Sequence, residues 1–358
     1  MDESRTAPEP ERREKVDLKN LSPQGIVDFV ESLGQPAFRG RQIFDWLYRP
    51  GIVEFDRMTN LAKEFRKLLA EHAVISRFSH PLVERSRDGS VKFGFQLPGD
   101  TGLIEAVLIP DAGRNTLCIS SQAGCGMGCR FCLTGTMGFK RNLSTAEIVN
   151  QVCAVRDWIL EHGAPPISNI VFMGMGEPLA NLDNLLAALP LLTHQRGLDI
   201  AARRITVSTC GLVPQMLELG RNSDVNLAIS LHAADDTVRD KLMPINRTYP
   251  LARLLDAARN FPMKKRQRIM FEYTLLKGIN DGDADAEQLA TLLRGIPCKV
   301  NLLSYNPADT LPFESSSRQR LLNFQKILRH HGYSTFIRLS RGSDISAACG
   351  QLAGCNRQ

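Results

Sequence analysis

Cys125, Cys129 and Cys132 stand in one short run, Gly124-Cys125-Gly126-Met127-Gly128-Cys129-Arg130-Phe131-Cys132. The spacing is C-x3-C-x2-C, with an aromatic residue before the last thiol. A complete electron-transfer cluster takes four cysteine ligands. Three thiolates hold three corners of a 4Fe–4S cube and leave the fourth iron open to a small molecule. Structural zinc also uses clustered cysteines, usually as two separated pairs or with histidines. Cys118 could complete a C-x6-C-x3-C-x2-C set, but that lacks the separation into two knuckles, and no histidine lies nearby. A disulfide framework does not suit a chain of this length with no export signal. The open cube is the reading retained.

An open iron can take S-adenosylmethionine (SAM) by its amino and carboxylate groups and pass an electron to its sulfonium, so the triplet points to radical SAM chemistry. The rest of the chain allows it. Its 358 residues are 43% hydrophobic and 23% charged, enough for one large core or two domains. No apolar run reaches the ~18 residues of a membrane helix. Residues 1–17 are charged and proline-bearing, without the apolar stretch of a signal peptide, and read as a disordered tail. Nine cysteines without a secretion signal indicate a reducing, cytoplasmic setting. The net charge is +6. Arg39 and Arg41, Lys140-Arg141, Arg203-Arg204, Lys264-Lys265-Arg266 with Arg268, and Arg329-His330-His331 each read as solvated surface, and together they favour a phosphate backbone as partner.

The elements that must position the triplet follow from periodicity. Residues 18–77 read as a helical accessory domain: Ser22 and Pro23 start one helix, Phe38–Tyr48 and Leu61–Leu69 give two more, and Arg39 and Arg41 are left for RNA contact. Residues 78–112 change to strand period around an Asp88-Gly89 turn and read as a bridging hairpin. Residues 113–340 alternate apolar strands (Leu117–Ser120, Asn169–Met173, Ile205–Ser208, Leu227–Leu231, Ile269–Leu275, Val300–Leu303, Phe336–Leu339) with helices, the first opened by a Ser144/Glu147 capping box. That predicts an α/β fold with a parallel sheet covered on its outer face, a barrel or open barrel. Chemistry then collects at the C-terminal strand ends, and the cysteine loop follows the first strand. Residues 341–358 form a C-terminal segment.

Other strand ends carry small polar groups that suit cofactor orientation. Met173-Gly174-Met175-Gly176-Glu177-Pro178 offers glycines for close backbone approach to a ligand and a carboxylate for a bound ammonium. Ser208, Ser230-Leu231-His232 and Tyr305-Asn306-Pro307 end later strands. His232 reads equally as a core histidine or a functional one. Cys153 and Cys298 read as core, Cys210 is ambiguous, and Cys118, Cys349 and Cys355 remain unassigned on chemistry alone.

These segments together resemble the RlmN/Cfr family of radical SAM RNA methyltransferases, and its RlmN branch more than its Cfr branch. The resemblance is carried by Cys118–Cys132, Met173–Pro178, Ser230–His232, Tyr305–Pro307, Ala347-Ala-Cys349-Gly-Gln-Leu352, and the helical stretches Phe38–Leu47 and Met58–Leu61. It covers nearly everything after the tail.

The resemblance implies a partial (β/α)6 barrel holding a 4Fe–4S cluster on Cys125, Cys129 and Cys132, with SAM contacts at Gly176, Glu177, Ser208, Ser230, Leu231, His232 and Asn306. It implies methylation of adenosine carbon 2 in 23S rRNA and in tRNA, using two SAM per turnover. One SAM methylates Cys349; a second yields a 5′-deoxyadenosyl radical that takes a hydrogen atom from that methyl. The resulting carbon radical adds to the adenine, Glu105 serves as proton acceptor, and Cys118 pairs with Cys349 as a disulfide to release product. Carbon 2 is an amidine carbon with no lone pair to attack a sulfonium methyl, which is why a radical route is needed. A one-electron donor such as flavodoxin, a monomeric state and the cytoplasm complete the expectation. Cys355 competes with Cys349 on sequence, Cfr-type methylation of carbon 8 is the near alternative, and a zinc-dependent RNA-binding protein is the distant one.

Overall fold

Ser22 caps the first helix as its position requires: its Oγ accepts the Gly25 N–H at 3.0 Å, and Pro23 sits where a missing N–H costs nothing. The helices α1 (Pro23–Ser32), α2 (Ala37–Leu47) and α3 (Lys63–His72) bury Ile26, Val30, Ile43, Phe44, Leu47, Phe65 and Leu69. Two short parallel strands, β1 (Val16–Asp17) and β2 (Ala73–Val74), tie the ends of this unit together. The computed structural model describes residues 15–99, 102–111 and 113–353, and its chain divides into two units after Ser76. The expected tail is therefore shortened at its inner end, since Val16 and Asp17 are in a strand; residues 1–14 lie outside the described residues. Arg39 is engaged locally, donating to Gln42 Oε1 at 2.8 Å and stacking over Phe38, whereas Arg41 is exposed.

The second unit holds a ten-stranded sheet. In chain order its members are β3 (Leu82–Arg85), β4 (Val91–Gln96), β5 (Leu103–Asp111) and β6 (Arg114–Cys118), then β9 (Ile167–Phe172), β10 (Ile205–Thr209), β11 (Asn226–Ser230), β12 (Ile269–Leu275), β13 (Cys298–Ser304) and β14 (Ser334–Arg338). The short β7 (Gln122–Gly124) and β8 (Phe139–Asn142) form a separate hairpin. Strands β3 to β6 are antiparallel neighbours, so the segment expected to bridge is continuous with the main sheet. From β6 onward every pairing is parallel, in the order β6, β9, β10, β11, β12, β13, β14. Seven parallel strands thus make six strand–helix–strand units, and the linear order leaves the barrel open.

The crossovers are α5 (Thr145–His162), α6 (Leu182–Thr193), α7 (Val213–Asn222), the pair α8 (Asp236–Leu242) and α9 (Leu251–Arg259), α10 (Asp283–Leu292) and α11 (Arg318–His330); α4 (Leu133–Thr136) is a single turn after Cys132. The capping box forms: Ser144 Oγ accepts the Glu147 N–H, and Glu147 Oε2 accepts the Ser144 N–H. Arg141 grips the same carboxylate with two 2.7 Å bonds. Buried residues fill β12 almost from end to end, whereas β10 alternates buried with partly exposed positions, so only part of the sheet reads as continuous apolar runs. Among the described residues no helix is long and apolar enough to cross a membrane.

Candidate active site

The hairpin of β7 and β8 brackets the cysteine loop, and the Cys125 N–H donates to Gly138 O at 3.0 Å, closing its base. The far side of the loop rests on the end of α8, where the Arg130 N–H donates to Leu242 O at 3.0 Å. Burial raises the pKa of all three thiols, to about 11 at Cys125; at Cys125 and Cys129 neighbouring negative charges raise it further. The three thiols interact electrostatically with one another, so they face one small region. Buried, mutually repelling thiolates would need a cation to hold them. Three sulfur donors in C-x3-C-x2-C spacing, with no second cysteine pair or histidine in the same stretch, fit a cluster held at three corners.

Beside Cys132, at the C-terminal ends of the parallel strands, opens a cavity of about 150 Å³. Ser208, Ser230, His232 and Asn306, four of the expected SAM contacts, line it together with Cys349. Gly176, Glu177 and Leu231 are not among its lining residues. Glu177 lies buried, its Oε1 accepting the Leu179 N–H at 3.1 Å and its Oε2 the Cys210 N–H at 2.8 Å. Its pKa is raised by burial despite those bonds. The glycines beside it let protein segments approach closely, and Gly174 also lines the cavity. A Cβ on Gly176, at φ +96°, would meet Gln122 Cβ at 2.5 Å, and one on Gly174 would meet Ile119 O at 2.7 Å. That close approach lets Met175 O accept both the Ser121 and Gln122 N–H groups, locking the β9 loop to the segment that feeds the cysteines.

His232 takes a left-handed backbone, φ +56°, which points to an over-determined position. Its Nδ1 accepts the Thr274 N–H at 2.9 Å, and burial, then the Arg239 charge, push its pKa down to about 3. It is a neutral imidazole with Nε2 protonated, edge-on to Phe131 at 4.7 Å.

Cys349 is held over the cavity by the backbone around it. Asn306 Nδ2 donates to Cys349 O at 3.2 Å, the Leu133 N–H to Gly350 O at 2.8 Å, and Thr134 Oγ1 to Leu352 O at 2.6 Å. The residue keeps an open surface, yet desolvation, then the Glu272 charge, push its thiol up to about 11. Glu105 is buried outside the cavity lining: Lys92 Nζ lies 3.2 Å from its Oε1, and its Oε2 accepts the Ala353 N–H at 2.9 Å. It anchors the segment that carries Cys349. Cys118 is buried at the end of β6 and free, as is Cys349, so the expected disulfide is not formed here. Cys153 and Cys298 are buried as expected, and Cys210 packs with Leu242, Met243 and Tyr305. Cys355 lies outside the described residues.

Known proteins share this arrangement. Residues 16–75 match the family described as ribosomal RNA large subunit methyltransferase N-terminal domain, and residues 119–290 match the radical SAM superfamily. A dual-specificity RNA methyltransferase RlmN from Desulfotalea psychrophila is 59% identical over 95% of this chain and 96% of its own length. The chain belongs to the RlmN family. The RlmN of Geobacter sulfurreducens is 52% identical over 95% of this chain and 92% of that protein. The crystal structure of a radical SAM methyltransferase from Sphaerobacter thermophilus superposes with TM-score 0.89 at 42% identity, covering 95% of this chain and all of that one. The family works with a 4Fe–4S cluster and SAM.

Sequence reasoning passed over one residue of this RlmN-family site. Glu272 lines the cavity from the middle of β12, 8% exposed. The signal was a lone carboxylate in the otherwise apolar run Ile269–Leu275. In register with Ser230 and Asn301 on the flanking strands, it accepts from Asn301 Nδ2 at 2.8 Å. Burial pushes its pKa up to about 7, against the opposing pull of Asn301 and Arg338. The native state therefore binds this proton more tightly than the unfolded chain, and stability falls as pH rises from about 4.5 through about 7. Glu272→Gln should remove that slope and stabilise the protein by roughly 2–3 kcal/mol at pH 8. Melting curves from pH 5 to 8 check this; parallel curves for the two proteins would refute it.

Proposed function

We infer that this chain methylates carbon 2 of adenosine in 23S rRNA and in tRNA, with Cys349 as methyl carrier. One observation carries the reading: Cys349 opens into the same cavity as Cys132 and the polar tips of β10, β11 and β13. A carrier thiol, a cluster ligand and cofactor-orienting groups thereby share one space. The resemblance to RlmN rather than Cfr selects carbon 2 over carbon 8.

Cys125, Cys129 and Cys132 would hold the cluster, which would supply the electron for cleaving SAM. Ser208, Ser230, His232 and Asn306 orient SAM from the cavity wall. Gly176 and Leu231 support that wall from behind, and Glu177 fixes the β9 and β10 loops around it. Asn306 has two tasks, since it also holds the Cys349 carbonyl. Cys118 resolves the adduct. Glu105 reaches the carbon-2 proton only after Ala353 releases its Oε2, so proton removal is coupled to movement of the C-terminal segment. Residues 18–77 contact RNA, a low-potential donor such as flavodoxin delivers the electron, and the enzyme works as a monomer in the cytoplasm.

Anaerobic purification followed by iron and sulfide analysis tests the base of this reading. Roughly four of each per chain are expected, with a cluster spectrum that changes on adding SAM. Nucleoside mass spectrometry of rRNA and tRNA substrates should then find 2-methyladenosine. A colourless protein with bound zinc would sink the enzyme reading, and 8-methyladenosine would replace it by the Cfr-type reaction.

A further inference from the structure

Arg239 is a buried cation with no carboxylate in direct ion-pair contact among the described residues, although Asp236 and Asp240 favour its charge from a distance. Its side chain is fully buried on α8. Nε donates to Leu231 O at 3.1 Å, Nη1 to Asn246 Oδ1 at 2.8 Å, and Nη2 to Cys210 O at 2.8 Å and Ser230 O at 3.2 Å. Every one of these acceptors is neutral. Asp236 and Asp240 are linked to it through Asn246, whose Nδ2 donates to Asp236 Oδ1 at 2.9 Å and Asp240 Oδ1 at 2.6 Å. A guanidinium taken out of water without a charged partner costs several kcal/mol. Such a group is retained where a negative charge answers it.

The surroundings show where that charge belongs. Arg239 reaches the tips of β10 and β11 from a helix whose last residue, Leu242, accepts the Arg130 N–H of the cysteine loop. Cys129 packs against Cys210, Leu242 and Met243, the same small core that flanks the guanidinium. Arg239 and Cys129 lie near enough to each other for their charges to interact. A 4Fe–4S cube on three thiolates carries a net charge of −1 when oxidised. One electron from a low-potential donor takes it to −2, and a fixed cation nearby stabilises the second state more than the first.

We propose that Arg239 is the counter-charge of the iron–sulfur cluster, a positioning residue that eases the cluster's one-electron reduction while clasping the β10 and β11 tips around SAM. The inference rests on the cluster reading above. Iron and sulfide in the unaltered protein test that reading separately: their absence ends both readings, whereas a loaded cluster whose reduction ignores Arg239 ends this inference alone.

The experiment is a potentiometric titration of the reconstituted cluster, followed by electron paramagnetic resonance. Arg239→Gln should lower the ratio of reduced to oxidised cluster at a fixed poise roughly tenfold, a shift of about 59 mV for one electron. Arg239→Lys, which keeps the charge and loses the clasp, should stay near the unaltered ratio while its melting temperature falls. Equal ratios in all three proteins, or an equal fall in both variants, would reduce Arg239 to a structural clasp and overturn the proposal. Asp240→Asn keeps an acceptor for Asn246 and removes a partly exposed negative charge. It should raise the ratio about threefold, and it decides the matter if the Arg239 variants do not fold: an unchanged ratio there refutes the counter-charge.

Discussion

Cys349→Ala abolishes RNA methylation, by more than roughly a thousandfold, while cluster content and SAM binding stay at the level of the unaltered protein. The size follows from the chemistry. Losing a covalent nucleophile removes the reaction path itself and not one stabilising contact. Among the cavity-lining residues the other cysteine is Cys132, which is committed to iron. The fold survives because the segment is held by backbone bonds from Asn306, Leu133 and Thr134, which an alanine keeps. The thiol's high pKa, about 11, adds a second expectation. The thiolate is the methyl acceptor, so methyl loading of Cys349 should quicken about tenfold per pH unit while pH stays well below that value. Mass spectrometry of modified adenosine and of the intact protein reads both. Activity surviving in Cys349→Ala but lost in Cys355→Ala would move the carrier to Cys355.

The parallel strands were legible because each is a short, largely apolar run set between helical stretches. Ile269–Leu275 matches β12 residue for residue, and the other six expected strands overlap β6, β9, β10, β11, β13 and β14. The cysteine loop was legible because its spacing is itself chemistry. Helix α8 was not: four of its seven residues are charged, so no apolar period marks it, and Asp235 at its N-cap was the remaining sign. Arg239 was overlooked with it. The glycines of Met173–Pro178 were visible, and Gly174 lines the cavity; what no local pattern revealed is that Gly174 and Gly176 also lie against the Ile119–Gln122 segment. Glu105 shows the limit most clearly. Its binding to Lys92 and Ala353 depends on the register of β4 with β5 and on the path of a segment about 250 residues away, and neither leaves a local pattern. Glu272 was readable as an anomaly, a carboxylate where the strand called for an apolar side chain, yet its weight comes from three strands in register.

Cys118→Ala should trap the reaction part-way, accumulating a covalent RNA–protein adduct with less than one equivalent of free methylated RNA. In the proposed sequence a methylene carbon joins Cys349 Sγ to carbon 2 of the adenine. Release requires a second sulfur to attack Cys349 Sγ, forming an S–S bond as the C–S bond breaks; the bonding pair leaves with the methylene carbon, which takes a proton to become the methyl on the base. Cys118 suits that role by position. It ends β6, the strand that leads into the cysteine loop, and its thiol lies close enough to Cys349 for their charges to interact. Burial first, and then that neighbouring charge, hold its pKa well above the usual thiol range. The attacking species in thiol exchange is the thiolate, so Cys118 stays protonated and idle until the adduct forms, which spares Cys349 from premature oxidation. The same reasoning makes adduct release in the unaltered enzyme faster at higher pH, while the adduct in Cys118→Ala persists at every pH. A denaturing gel of radiolabelled RNA with protein shows the adduct as a retarded band, and ribonuclease digestion followed by mass spectrometry locates it on Cys349. Ordinary multiple turnover in Cys118→Ala would remove the disulfide step from the mechanism and leave release to a thiol or base outside the described pair.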